Sequence, residues 1–216
     1  MKLFLDTANT ASVAEIAAWG VLDGVTTNPS LVMKEGKDFK ATILEMCSHV
    51  PCVSAQVTAT DAPGMIKQGE EYASWHKNGV VKVPMTTEGL KAVSHFSKKK
   101  IRTNVTLVFS VPQAILAAKA GATIISPFIG RLDDQGEDGM ALIAEIMEVW
   151  SHSKFATEVL VASTRHPRHI VDAARLGAHI CTIPVDVFKK LPGHALTDNG
   201  LKKFQDDWKK VSGKGA

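Results

Sequence analysis

Val80-Val81-Lys82-Val83-Pro84 sets an amine inside a run that reads as a short buried strand. A charged ammonium in such a place is costly unless it is paired or neutral. Strand alternation turns Lys82 away from the face shared by Val81 and Val83, and apolar surroundings lower an amine's pKa by favouring its neutral form. A neutral amine is a nucleophile, and the chemistry that uses one in a cleft is Schiff-base formation with a carbonyl substrate. A lysine at a strand end, its stem on apolar surface and its head in water, fits the same residues. The rest of the chain has to choose between the two.

Other polar residues fall at or near the ends of apolar, strand-like runs: Asp6, Asn28, Gln56, Asn104 with Thr106, Ser126, and Ser163 with Arg165. Thr26 and Asn28, Asn104 and Thr106, Ser126 and Phe128, and Ser163 and Arg165 are i,i+2 pairs, so each pair shares one strand face. Each residue also has a plainer reading, Asp6 as a cap, Asn28 as a turn residue before a helix, Ser163 as a loop donor. Their collection around one buried lysine is what favours chemistry.

The elements that must position them alternate. Strands are expected over residues 2–6, 24–28, 52–58, 80–84, 101–107, 123–128, 158–163 and 179–183. Between them, helical spacing or helix-start signals mark 10–19, 38–49, a helix opened by Asp61-Ala62-Pro63, 87–99, 111–119, 139–152 and 167–176. Asn28-Pro29 reads as the turn that ends the second strand, because proline disfavours helix at the residue before it. Eight strand–helix units predict a parallel sheet closed into a compact (β/α)8 TIM barrel, shorter than the roughly 250 residues typical of that fold. Residues 1–216 are expected to form one domain, since neither a composition shift nor a linker interrupts them. An extra C-terminal helix at about 198–211 carries Leu201, Phe204, Trp208 and Val211 at helical spacing. In such a barrel the site lies at the C-terminal ends of the strands, where the polar residues gather.

Composition narrows the function further. With 45% apolar and 22% charged residues the chain has an ordinary globular make-up, and a net charge of +3 with scattered lysines gives no nucleic-acid footprint. Lys98-Lys99-Lys100 is the basic run, and it reads as a solvated helix end. Cys47, Cys52 and Cys181 have neither metal-ligand nor CxxC spacing, so reduced thiols in a cytoplasmic protein are expected. No stretch approaches the roughly 20 apolar residues of a membrane span. His166 and His169 are the closest histidine pair and read as a surface helix start, so neither a metal site nor a cofactor is expected.

Leu5-Asp6-Thr7, Gly24-Val25-Thr26-Thr27-Asn28-Pro29-Ser30, Val81-Lys82-Val83-Pro84, Asn104 to Ser110 and Ile125-Ser126-Pro127-Phe128-Ile129-Gly130-Arg131 resemble the motifs of the transaldolase family. The resemblance is greatest to its small single-domain branch, which also contains the fructose 6-phosphate aldolases, and runs from Met1 to about Trp208. It implies that Lys82 is the Schiff-base lysine and Asp6 the acid/base carboxylate, with Gln56 and Thr106 holding a relaying water. It implies further that Asn28, Asn104 and Ser126 bind the dihydroxyacetone part of the substrate, that Thr27 and Phe128 are also substrate-binding, and that Arg131, Ser163 and Arg165 hold its phosphate. Sugar phosphates are the implied substrates and a homopentamer or homodecamer the implied assembly.

Within the branch, Gln56 is similar to the aldolases, where many transaldolases have glutamate. Asn104, Ser126 and Phe128 are similar to the transaldolases. Transfer of a dihydroxyacetone unit is therefore the expected reaction, release of free dihydroxyacetone the alternative, and a non-catalytic sugar-phosphate-binding barrel the remote one. A deoxyribose-phosphate-type Schiff-base aldolase would share barrel and lysine, but the Thr-Thr-Asn-Pro turn is not its signature.

Overall fold

Helices start where the sequence offers a short polar side chain to an unpaired N–H. Asn9, Asp38, Asp61, Thr86 and Ser110 each accept from the backbone N–H three residues on, and Asp138 accepts from Met140 and Ala141. In the computed structural model, which describes residues 1–212, these caps open helices that return the chain to the next strand. The order is β1 (Lys2–Asp6), α1 (Thr10–Ala17), β2 (Gly24–Thr26), α2 (Pro29–Glu35), α3 (Phe39–His49), β3 (Val53–Gln56), α4 (Ala62–Trp75) and β4 (Gly79–Pro84). It continues with α5 (Thr87–Lys98), β5 (Thr103–Val108), α6 (Val111–Lys119), β6 (Ile124–Pro127), α7 (Ile129–Asp133), α8 (Gly139–His152), β7 (Glu158–Val161), α9 (Pro167–Arg175), β8 (Ile180–Pro184), α10 (Val185–Phe188) and α11 (Ala195–Ser212).

All neighbouring strands pair in parallel, and β1 pairs with both β2 and β8, so the eight strands close into the expected barrel. Alternation divides each strand between two environments. Leu5, Val25, Val53, Val81, Val83, Val105, Ile125, Val159, Cys181 and Ile183 belong to the clusters that pack with helical side chains such as Ile16, Met46, Phe96, Ile143 and Ile146. The other face fills the barrel in two storeys. Phe4, Ile124, Leu160 and Ile180 form an apolar plug. Two residues further along the same faces stand Asp6, Ser126 and Thr182, and Lys82 follows Val80 in the same way. Gly24 makes room for the plug, because a Cβ there would come within 2.5 Å of the Phe4 ring.

Three stretches differ from the sequence expectation. Pro29 ends β2 and also begins α2, since its fixed φ suits the first turn of a helix while Asn28 before it stays extended at φ −151°. Phe128 and Ser163 lie beyond their strands. Phe128 makes an isolated bridge to Ala162 and leads into α7, and Ser163 takes a left-handed φ of +63°. The helices α2, α7 and α10 have seven, five and four residues, too few for a helical period to register in sequence.

Candidate active site

Lys82 reaches the barrel interior from the middle of β4, flanked in register by Gln56 of β3 and Asn104 of β5. It is 3% exposed, and its ammonium nitrogen donates to the backbone carbonyl of Thr27 at 2.9 Å. A carbonyl holds the amine in place without neutralising a charge. Burial pushes the Lys82 pKa below the usual lysine value; Asp6 opposes that shift and Arg131 adds to it.

Around the lysine the polar side chains satisfy one another. The Thr26 hydroxyl donates to Asp6 Oδ1 at 2.8 Å and lies 2.6 Å from the Thr182 hydroxyl. Ser126 donates to Asn104 Oδ1 at 2.7 Å, and Asn104 Nδ2 donates to Ser54 at 3.1 Å. Thr27 turns its own hydroxyl to the Ser54 carbonyl. Among the described residues no buried side-chain nitrogen or oxygen lacks a partner. A pre-bonded set of this kind holds its geometry before any substrate arrives.

Above this floor opens a cavity of about 360 Å³ whose wall includes Asp6, Asn28, Lys82, Ser126, Phe128, Arg131, Ser163 and Arg165. A smaller cavity of about 240 Å³ shares Asn28, Lys82, Phe128 and Arg131 with it and adds Gln56 and Thr106. Asp6 and the Gln56–Thr106 pair therefore line different cavities that share Lys82. Asn104 and Thr27 are not on the wall of the larger cavity: Asn104 meets it through Ser126, and Thr27 through the carbonyl it gives to Lys82.

At the mouth, Arg131 on α7 lies 5.0 Å over the Phe128 ring, and Arg165 Nη2 donates to Asp134 Oδ2 at 2.8 Å. Gly130 permits this crowding, because a Cβ there would stand 2.2 Å from the Ser163 carbonyl oxygen and 2.6 Å from Arg165 Nε. Two guanidinium groups, one over the Phe128 ring and one paired with Asp134, and a serine hydroxyl at one rim suit an anion with several oxygens.

Ser30, Lys34, Thr164 and Thr182 also line the cavity and were not singled out in the sequence. Ser30 and Lys34 lie on α2, and their i,i+4 spacing after Pro29 was the signal for a shared helical face. Thr182 follows the parity of β8, but an interior threonine carries no special mark in sequence. His166 is exposed, as a surface helix start should be, whereas His169 is buried. No group of metal-ligating side chains is present among the described residues, nor a helix long and apolar enough to cross a membrane. Cys47, Cys52 and Cys181 are free, and burial raises all three thiol pKa values, that of Cys181 to about 12.

The family described as transaldolase/fructose-6-phosphate aldolase matches residues 3–215. A protein of Brevibacillus brevis named probable transaldolase is 57% identical over 209 residues, covering 96% of this chain and 98% of that protein. Probable transaldolases of Methanococcus maripaludis and Caldicellulosiruptor saccharolyticus are 57% and 54% identical, covering 96% and 98% of this chain and 97% and 98% of their own lengths.

Proposed function

The chain belongs to the transaldolase/fructose-6-phosphate aldolase family, and on that premise we propose that it is a transaldolase whose Schiff base forms on Lys82. It moves a dihydroxyacetone unit from a ketose phosphate, sedoheptulose 7-phosphate or fructose 6-phosphate, to an aldose phosphate, glyceraldehyde 3-phosphate or erythrose 4-phosphate. One observation carries the assignment of the lysine: a nearly inaccessible amine with a lowered pKa shares a cavity with a carboxylate and two arginines.

Neutral Lys82 adds to the ketose carbonyl and, with loss of water, leaves an iminium. The iminium accepts the electron pair of the C3–C4 bond while a base takes the C4 hydroxyl proton, so the aldose phosphate departs and a three-carbon enamine stays on Lys82. Asp6, held by the Thr26 hydroxyl on the cavity wall, takes that proton, and Gln56 and Thr106 hold a water that relays it. The enamine then attacks the acceptor aldehyde, the proton returns to the new hydroxyl, and hydrolysis of the iminium frees the product. Asn28 and Ser126 meet the hydroxyls of the three-carbon unit. Thr27 and Asn104 act one step back, on Lys82 and Ser126.

Arg131, Arg165 and Ser163 hold the substrate phosphate, with Lys34 adding charge at the rim. Arg165 is now paired with Asp134 in a half-exposed ion pair, a weak contact that a phosphate dianion displaces. Arg131→Ala and Arg165→Ala are each expected to weaken phosphorylated substrates by about 1.5–3 kcal/mol and unphosphorylated donors much less. Equal losses with both would assign the arginines to structure instead.

Phe128 decides between transfer and release. Its ring has no hydroxyl to protonate the enamine, so the intermediate waits for an aldehyde. Given fructose 6-phosphate and erythrose 4-phosphate, the protein is expected to make sedoheptulose 7-phosphate much faster than it frees dihydroxyacetone, and Phe128→Tyr to shift the ratio toward release. If release dominates with saturating acceptor, the protein is a fructose 6-phosphate aldolase. Gln56 favours that second reading, since an amide cannot change protonation state as a glutamate can.

A homopentamer or homodecamer is supported by α11. Leu196, Leu201, Phe204, Trp208 and Val211 are all more than half exposed along it, an apolar stripe that a neighbouring copy would cover. Deleting the chain from Asp198 onward should leave smaller species in light scattering; an unchanged assembly would refute this. Soluble phosphorylated substrates and free thiols suit a cytoplasmic location.

A further inference from the structure

The two arginines at the rim stand on different pieces of chain. Arg131 is on α7, while Ser163 and Arg165 belong to the segment after β7, where Ser163 is held at a φ of +63°. A left-handed non-glycine residue persists only where its surroundings fix it. Beyond the backbone bond from the Ile129 N–H to the Ala162 carbonyl at 3.0 Å, two contacts between these pieces lie at the rim itself: the Gly130 N–H donates to the Ser163 carbonyl at 3.1 Å, and exposed Arg165 pairs with Asp134.

The third contact is buried. His169, in the first turn of α9, accepts the Arg165 backbone N–H on Nδ1 at 3.2 Å, and its Nε2 lies 3.5 Å from Asp133 Oδ2. An Nδ1 that accepts places the ring proton on Nε2, toward that carboxylate. Asp133 is the last residue of α7, and its other oxygen accepts the Gly139 N–H at the head of α8 at 2.9 Å. One imidazole thus joins the backbone that carries Arg165 to the helix that carries Arg131. It lines neither of the two cavities that share Lys82.

We propose that neutral His169 is a positioning residue that sets the spacing of Arg131 and Arg165 for a substrate phosphate, and that protonating it loosens the pair. The proposal rests on the phosphate site described above. A protonated ring donates from both nitrogens, so Nδ1 would face the Arg165 N–H with a proton of its own. Burial, the His166 ring 3.8 Å away and Arg165 favour the neutral form, while Asp133 on α7 and Asp172 on α9 oppose it; the balance lowers the His169 pKa. The neutral form, and the bridge with it, is present above that lowered value and lost as pH falls through it.

The test follows the KM for fructose 6-phosphate, the Ki of inorganic phosphate as a competitor and the rate with fructose, using unphosphorylated glyceraldehyde as acceptor. His169→Leu should raise the KM and the Ki by about tenfold, the loss of one charge-free hydrogen bond with its geometry. kcat and the fructose reaction should change less than about twofold. His169→Asn, whose amide oxygen stands in for Nδ1, should recover most of the loss. Between about pH 7 and 5 the wild-type KM should rise more steeply than that of His169→Asn; the substrate phosphate's own titration is common to both. Equal effects on phosphorylated and unphosphorylated donors, or matching pH profiles, overturn the proposal. Should His169→Leu fail to fold, the comparison of pH profiles alone decides. Loss of phosphate preference in Arg165→Ala but not in His169→Leu overturns the role of His169 and leaves the phosphate site standing, whereas no loss in either overturns both.

Discussion

Lys82→Arg is expected to abolish turnover, by at least about 10⁴-fold, because a guanidinium stays protonated and cannot add to a carbonyl. In the wild type, borohydride added with fructose 6-phosphate should reduce the iminium and fix a covalent adduct on Lys82. An adduct on another lysine, or none, would end the mechanism. The same burial that supplies the neutral amine carries a cost in stability with a definite pH dependence. The folded-state pKa lies below the ordinary lysine value of 10.5, so between the two the unfolded chain binds more protons. The penalty is full below the folded pKa and is relieved as pH rises from there toward 10.5. Lys82→Met, although inactive, should therefore raise Tm at neutral and acid pH, with the gain shrinking in alkali.

Asp6→Asn should lower transfer by about 10²- to 10⁴-fold, the usual worth of a positioned proton acceptor. The amide oxygen can still accept the Thr26 hydroxyl, so the local geometry survives. Removing the carboxylate also removes a charge that holds the Lys82 pKa up, which leaves the amine at least as available. Borohydride trapping should accordingly persist while carbon–carbon cleavage fails. If trapping is lost together with turnover, Asp6 serves an earlier step and its assignment here is wrong.

The barrel was legible because each strand has two kinds of neighbour. Val81 and Val83 against helices and Lys82 against the interior are written into the sequence as alternation, and the same parity led to Ser126 and Asn104. Asn104 shows the limit of parity: it gives the face, while depth along the barrel decides whether a side chain lines the cavity or supports one that does. The rim was harder to see. In sequence Pro29 marks the end of a strand, while in the structure it also begins α2, and that double role conceals Ser30 and Lys34. Arg131 was reached through its motif, since five-residue α7 has no period of its own. Asp133 and Asp134 left no trace, and His169 reads in sequence only as part of a surface helix start, because their roles depend on two stretches distant in sequence, α7 to the head of α8 and the segment from β7 into α9, meeting at one corner.

The exposure of α11 bears on how that helix exists at all. Of its residues up to Val211 none is buried, so the barrel beneath contributes little to keeping it wound. A helix of 18 residues with little tertiary burial is near the coil transition in water, where nucleation is costly and length barely compensates. Where a neighbouring copy covers its apolar stripe, as proposed above, its winding becomes a function of protein concentration. At high dilution α11 should unravel well before the barrel does, showing as a small early loss of ellipticity, and the stretch after Gly193 should become the first place a protease cuts.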